Sequence, residues 1–205
     1  MEITADIVKQ LRTKTGAGMM DCKRALQEAE GSMDRAIEIL RERGLAQAAK
    51  KAGRVANEGV VETYLHGGGR IGVLVEVNCE TDFVARNTEF KDVVHELSLQ
   101  VAAARPRWVR REEVPEDVIA AERRIYDAQA QNEGKPPQIA ERIVQGRLEK
   151  FFQEMCLLEQ VYIKDDKKRV GDLVTELIAK MGENIQVRRF ARFEVGEEIL
   201  GSQGD

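Results

Sequence analysis

Cysteine is scarce in this 205-residue chain: Cys22, Cys79 and Cys156 stand far apart and never at CxxC spacing. Neither a disulfide framework nor a zinc site is expected from them, and they read as small buried hydrophobes. Histidine is scarcer, with His66 and His95 the whole supply. Hydrolytic or nucleophilic catalysis needs a base beside its nucleophile and a third group to orient it. His66 closes a strand before a turn and His95 lies off the apolar stripe of its helix, so both read as surface side chains and no enzymatic activity is expected. Carboxylates are plentiful, 36 in all, yet none falls into the DxDxDG spacing of a calcium loop. An excess of cations is missing too: Lys+Arg 32 against Asp+Glu 36 leaves a formal charge of -4. Proteins that live on phosphate backbones carry a positive balance, so direct nucleic-acid binding is not expected. No apolar run reaches the roughly 18 residues of a membrane span, and no basic segment followed by an apolar one opens the chain. A cytoplasmic protein without a membrane partner is the expectation.

What is present is enough hydrophobic sequence, 42%, for one generous domain or two small ones. The first fifty residues repeat one device three times, an apolar face at helical spacing closed by turn residues. Ile7, Val8 and Leu11 follow a cap at Thr4; Cys22, Ala25, Leu26 and Ala29 follow the turn Thr15-Gly16-Ala17-Gly18; Met33, Ala36, Ile37 and Leu40 follow Gly31-Ser32 and run to Gly44. Three short helices in a bundle make a small core, so the surface of this module is its purpose. Met20 lies about 200° around its helix from the core face and Met19 at the edge of that face. Flexible thioethers beside a glycine turn suit a docking surface, or else fill gaps beneath the turn. Ala46 to Arg54 has no apolar stripe and reads as a solvated helical linker, with Lys50, Lys51 and Arg54 on its wet face. The boundary placed there gives a module and linker over 1–55 and a core over 56–205.

From Val60 to Asn78 the period changes from 3.6 to 2, with Val61, Thr63 and Leu65 before a glycine turn and Ile71, Val73, Val75 and Val77 after it. This is a β-hairpin. Gly67, Gly69 and Gly72 spell GxGxxG, but dinucleotide binding needs a helix N-terminus after the glycines, and here they lead into a β-branched strand. No GxxxxGK[ST] loop occurs, so no nucleotide or other cofactor is expected in the chain itself. Helices follow from Phe83 to Ala104, then from Pro115 to about Gln131 and from Gln138 to about Cys156, the last two forming a helical hairpin over about 115–156. Val170, Leu173, Val174, Leu177, Ile178 and Met181 stripe a further helix that stops at Gly182. Ile185 to Phe193 alternates like a strand with one face buried and one wet. The fold class is α+β: a three-helix module, then a small antiparallel sheet packed with helices and the helical hairpin.

Three segments are more specific than any of these patterns. Thr15-Gly16-Ala17-Gly18-Met19-Met20-Asp21-Cys22-Lys23, Asn78-Cys79-Glu80-Thr81-Asp82-Phe83-Val84-Ala85 and Arg192-Phe193-Glu194-Val195-Gly196 resemble the bacterial translation elongation factor Ts family in content, order and separation. The resemblance continues through Asn132-Glu133-Gly134-Lys135-Pro136, Ala140-Glu141 and Gly182-Glu183-Asn184-Ile185, and so covers nearly the whole chain. It implies a guanine-nucleotide exchange factor of translation elongation that binds elongation factor Tu and promotes GDP release, with an N-terminal module like a ubiquitin-associated domain. It also implies the roles of particular residues: Arg12, Met19 and Met20 in docking on the partner, and Thr81, Asp82, Phe83 and Val84 in dislocating Mg²⁺ from the partner's site. A single core copy, where longer members carry two, implies a homodimer formed by the 56–205 core. Two other readings stand beside this one. The first is a non-catalytic adaptor that binds another protein or a ribosomal component through the three-helix module; the second is an RNA-binding helical protein using Arg188, Arg189 and Arg192.

Overall fold

Thr4 opens the first helix by accepting a hydrogen bond from the Ile7 N–H at 3.5 Å, and the chain then builds the module that its spacing predicts. A computed structural model describes residues 3–134 and 136–197; Lys135 of the polar turn and residues 198–205 of the expected core lie outside them. The module consists of α1 (Ala5–Thr15), α2 (Met19–Glu28) and α3 (Met33–Lys51). Val8, Leu11, Cys22, Ala25, Leu26, Ala29, Ala36 and Ile39 form its buried core. Each of the larger aliphatic side chains there contributes roughly 1.5–3 kcal/mol by burial.

The third helix differs from expectation in two ways. It runs through Gly44 to Lys51, and its buried face is Ala36 and Ile39, with Ile37 and Leu40 only partly covered. Glycine inside a helix costs about 1 kcal/mol relative to alanine but does not end it. Gly44 is buried because a neighbouring helix packs there: a Cβ at this position would sit 3.7 Å from Thr175 Cγ2 and 3.8 Å from Ala179 Cβ. Beside it, Arg41 donates to both carboxylate oxygens of Asp172 at 2.8 and 2.9 Å.

The hairpin is β1 (Glu58–His66) and β2 (Ile71–Cys79), and β5 (Gln186–Glu194) completes a three-stranded antiparallel sheet in the order β1-β2-β5. Gly59 permits the closest backbone approach in this pair, since a Cβ on it would fall 2.2 Å from the Val77 carbonyl oxygen. The GxGxxG glycines lead into β2, with Gly72 inside the strand, so no helix N-terminus faces them. After β2 come α4 (Asp82–Arg86), α5 (Thr88–Ala104), α6 (Glu116–Asn132) and α7 (Pro137–Met155). The helices α6 and α7 pack through Ala130, Val144 and Leu148 and are linked by ion pairs between Arg123 and Glu141 and between Arg147 and Glu133.

A second, two-stranded sheet, β3 (Val161–Tyr162) with β4 (Asp165–Arg169), has no counterpart in the sequence pattern. Its charged run Asp165-Asp166-Lys167-Lys168-Arg169 carries no strand period. It is anchored from outside, with the Tyr162 hydroxyl and Lys164 ammonium both donating to Glu96 at 2.8 and 2.6 Å. Helix α8 (Val170–Met181) stops at Gly182 as expected. The alternation of β5 is not strict: Val187 is buried, Arg188 and Arg189 are both exposed, and the Arg192 side chain is 6% exposed. Arg192 donates to the Ala102 carbonyl and pairs with Glu194, while Arg189 pairs with Glu76.

Packing divides the chain into two compact units. Among the described residues, the first holds those up to Val60 with Val77–Val94 and Asp172–Val187; the second holds Val61–Glu76, His95–Gly171 and those from Arg188 onward.

Candidate partner-contact site

Both groups of residues singled out from the sequence fall in the first unit. In the module, α1 ends at Gly16, whose φ of 68° lets its N–H reach the Arg12 carbonyl at 2.7 Å. Thr15 stabilises the turn from inside, donating to the Leu11 carbonyl at 2.8 Å and accepting from the Ala17 N–H at 3.4 Å. Helix α2 then begins without a side-chain cap on Gly18. Its first two residues therefore stand at the open end of a helix: Met19 is 42% exposed and Met20 64% exposed. Arg12 is exposed on the preceding helix. Neither methionine belongs to the module core, which closes on Cys22 one turn further on.

The second group sits where β2 turns into α4. Thr81 is the N-cap of α4, in extended conformation, and its hydroxyl accepts from the Val84 N–H at 3.5 Å. The Cys79 thiol donates to the Thr81 carbonyl at 3.2 Å. Burial pushes this thiol up to about 11, with the Glu183 carboxylate adding to the shift, so it stays protonated and remains a donor at neutral pH. Asp82 pairs with Arg86 one turn along at 3.0 Å. Val84 and Ala85 are buried. Phe83, just before them, is 82% exposed, the highest exposure of any large apolar side chain among the described residues. A five-residue helix thus presents one aromatic ring outward from a base held by two buried side chains, a cap and a thiol.

The Glu183 carboxylate accepts the Glu80 N–H, the Thr81 N–H and the Thr81 hydroxyl. Nothing in the period of the sequence pointed to Glu183, because a polar residue after a helix-ending glycine reads as solvated loop. The two histidines lie elsewhere, on the second unit, where His95 Nδ1 meets Glu62 at 3.0 Å and His66 Nδ1 meets the Tyr64 hydroxyl at 2.9 Å. No nucleophile stands beside either in these bonds. Among the described residues no group of three His, Cys, Asp or Glu is placed to hold a metal ion, and no helix is long and apolar enough to cross a membrane.

An exposed aromatic on a strand-to-helix junction, and an exposed methionine pair at a glycine turn, are arrangements compatible with contact to another macromolecule. Comparison with known proteins agrees with the motifs that carry these residues. The family model for elongation factor Ts matches residues 2–197. The elongation factor Ts of Carboxydothermus hydrogenoformans is 64% identical over 203 residues, covering 99% of this chain and 94% of its own. That of Thermoanaerobacter sp. strain X514 is 63% identical over 203 residues, 99% and 100% of the two chains, and that of Moorella thermoacetica 63% over 201 residues, 98% and 99%. With the TGAGMMD and NCETDFV segments set in a fold that exposes Met19, Met20 and Phe83, and with relatives matched over nearly their full lengths, the chain belongs to the elongation factor Ts family.

Proposed function

We propose that the chain is a guanine-nucleotide exchange factor of translation elongation, which binds elongation factor Tu in its GDP-bound and nucleotide-free forms and promotes GDP release in the cytoplasm. A G protein holds GDP through its phosphate loop, main-chain donors and Mg²⁺, and release is slow because these must loosen together. The exchange factor need not touch the nucleotide. Any protein that binds the nucleotide-free conformation better than the GDP-bound one weakens GDP by the same factor. A 10⁴-fold weakening takes about 5.5 kcal/mol of differential affinity, more than one side chain supplies, so two contact regions share the work.

In this reading the module docks through Arg12, Met19 and Met20, and the Thr81–Val84 segment acts on the Mg²⁺ site. Phe83 inserts between partner side chains, Val84 anchors it from the core, Thr81 caps the helix that carries it and Asp82 holds the first turn through Arg86. The observation that carries the proposal is the exposure of Phe83 from a fixed base, in a chain of this family. It implies no bond-making chemistry, hence no catalytic residue, and no resident cofactor. The adaptor reading is not favoured, because the family match spans both units rather than the module alone. The test is release of fluorescent GDP from elongation factor Tu with and without the chain. Acceleration by several orders of magnitude is expected; release at the intrinsic rate at saturating concentration would refute the function.

The working form we infer is a homodimer, two chains with two copies of the partner. Val61 and Leu65 of β1, Leu74 of β2 and Phe193 of β5 are all exposed, an unusual apolar load for one small sheet. A second copy is the occupant that fits a single-core chain, provided each copy buries on the order of 800 Å².

A further inference from the structure

The turn between α8 and β5 ties together three segments distant in sequence. Gly182, at φ 76°, reverses the chain out of α8, and the next two side chains point back into the first unit. One oxygen of Glu183 accepts the N–H groups of Glu80 and Thr81, each at 3.0 Å, and the other accepts the Thr81 hydroxyl at 2.6 Å. The bonding is reciprocal, since the Glu80 carboxylate accepts the Asn184 N–H at 2.6 Å. Asn184 is buried, and its side-chain amide donates to the Arg54 carbonyl at 2.7 Å and the Ala52 carbonyl at 3.5 Å. Arg54 in turn approaches Glu80 at 3.4 Å. The chain leaving α3, the β2–α4 junction and the α8–β5 turn therefore meet in one knot.

The geometry bears on Phe83 through Thr81. The Thr81 hydroxyl has one proton, which it gives to Glu183, and this leaves its lone pairs for the Val84 N–H. Glu183 thus sets the rotamer of the cap and fixes two backbone N–H groups just before it. Phe83 lies two residues further on and is 82% exposed, so it has little packing of its own to hold its direction. Its aim depends on the start of a five-residue helix, where Glu183 holds the cap and two N–H groups beside the Cys79 thiol and the buried Val84 and Ala85. We propose that Glu183 is a positioning residue for nucleotide exchange, acting through Thr81 on the ring of Phe83; this rests on the wedge reading above.

The test is a double-mutant cycle on the full chain, with fluorescent GDP release from elongation factor Tu titrated to give both a saturating rate and a half-saturating concentration. Glu183→Ala is expected to lower the saturating rate about tenfold while changing the half-saturating concentration less than about twofold. In the Phe83→Ala background the same substitution should add less than about twofold, because the residue through which it acts is gone. Glu183→Gln should stay within about threefold of the parent, since its carbonyl oxygen can accept the two N–H groups and its amide can donate to Thr81 Oγ1. A normal saturating rate in folded Glu183→Ala, or losses that multiply in the double mutant, would overturn the proposal. Full activity of Phe83→Ala would instead sink the wedge itself, which keeps the two failures apart. Should circular dichroism find Glu183→Ala unfolded, Glu183→Asp, one methylene too short to reach both groups, takes its place under the same criteria.

Discussion

Replacing Phe83 with alanine is expected to separate stability from exchange. In the free protein the ring is 82% exposed, so its removal opens no cavity and should change stability by less than about 0.5 kcal/mol. Alanine is also the better helix former, and α4 keeps its cap and its buried Val84 and Ala85. In the wedge reading the same ring passes from water into an apolar cleft of the open partner, and full burial of such a side chain gains roughly 1.5–3 kcal/mol. That gain is available only in the open conformation, so it enters the differential affinity undiluted. At about 1.4 kcal/mol per factor of ten, its loss lowers stimulated GDP release by about tenfold to about a hundredfold. The assay is stopped-flow release of fluorescent GDP at saturating chain, with the melting temperature and oligomeric mass measured on the same preparation. Parental release from a folded Phe83→Ala protein would refute the wedge, and a large drop in melting temperature would show the ring to be structural.

Three further outcomes are expected. Met19→Ala with Met20→Ala should raise the half-saturating concentration for elongation factor Tu at least about tenfold with little change in melting temperature, as neither side chain belongs to the module core; unfolding of the double mutant would restore the gap-filling reading. Leu65→Glu with Phe193→Glu should convert a dimer to a monomer in light scattering without loss of circular dichroism, and a parental chain that is already monomeric at micromolar concentration with full activity would remove the dimer. Burial, above all, raises the Cys79 and Cys156 thiols from an ordinary 9.0 to about 11. Above pH 9 the unfolded chain releases protons that the folded one retains, so this stability is present below pH 9 and is lost as pH rises through 11. The melting temperature should fall over that range, less steeply in Cys79→Ala with Cys156→Ala, and an equally steep fall in that variant would assign it to other groups.

Periodicity made most of the fold legible, for a physical reason. Val8 and Leu11, Cys22 with Ala25 and Leu26, and Val73, Val75 and Val77 are buried because one face of each element must leave water, and that demand writes itself into spacing. Where burial is decided by a distant neighbour, spacing carries no trace of it. Gly44 reads locally as a helix end, yet α8 lies against it and the helix continues. The strand β4 has a charged sequence and exists through its pairing with β3. Arg192 alternates like a solvated cation but spends its charge on Glu194 and the Ala102 carbonyl. The candidate site divides in the same way. Exposure of Met20 follows from its angle on the helix, whereas exposure of Phe83 could not be read from its position, where a core phenylalanine fits as well; the family motif supplied that choice. Glu183 stood in a family-like segment, but its role was silent in the spacing, because its bonds reach back about a hundred residues to Glu80 and Thr81.

The two groups proposed to contact the partner would play different energetic parts in exchange. Contacts made equally well to the GDP-bound and nucleotide-free partner lower the concentration needed for encounter but shift no equilibrium. Met19, Met20 and Arg12 stand on a module with its own closed core, and in the proposed division of labour they supply docking affinity as well as a share of the difference. Phe83 stands where a short helix is held by Thr81, Cys79 and Glu183, so the backbone under the ring is fixed when it meets a closed partner site. In the wedge reading it is either excluded or forces the site open, which is what would make its contact differential. Flexibility at the base would let the ring fold aside and bind both states alike, removing the difference on which exchange depends. The hydrogen bonds under Phe83 therefore matter less for how tightly the chain binds than for which state of the partner it prefers.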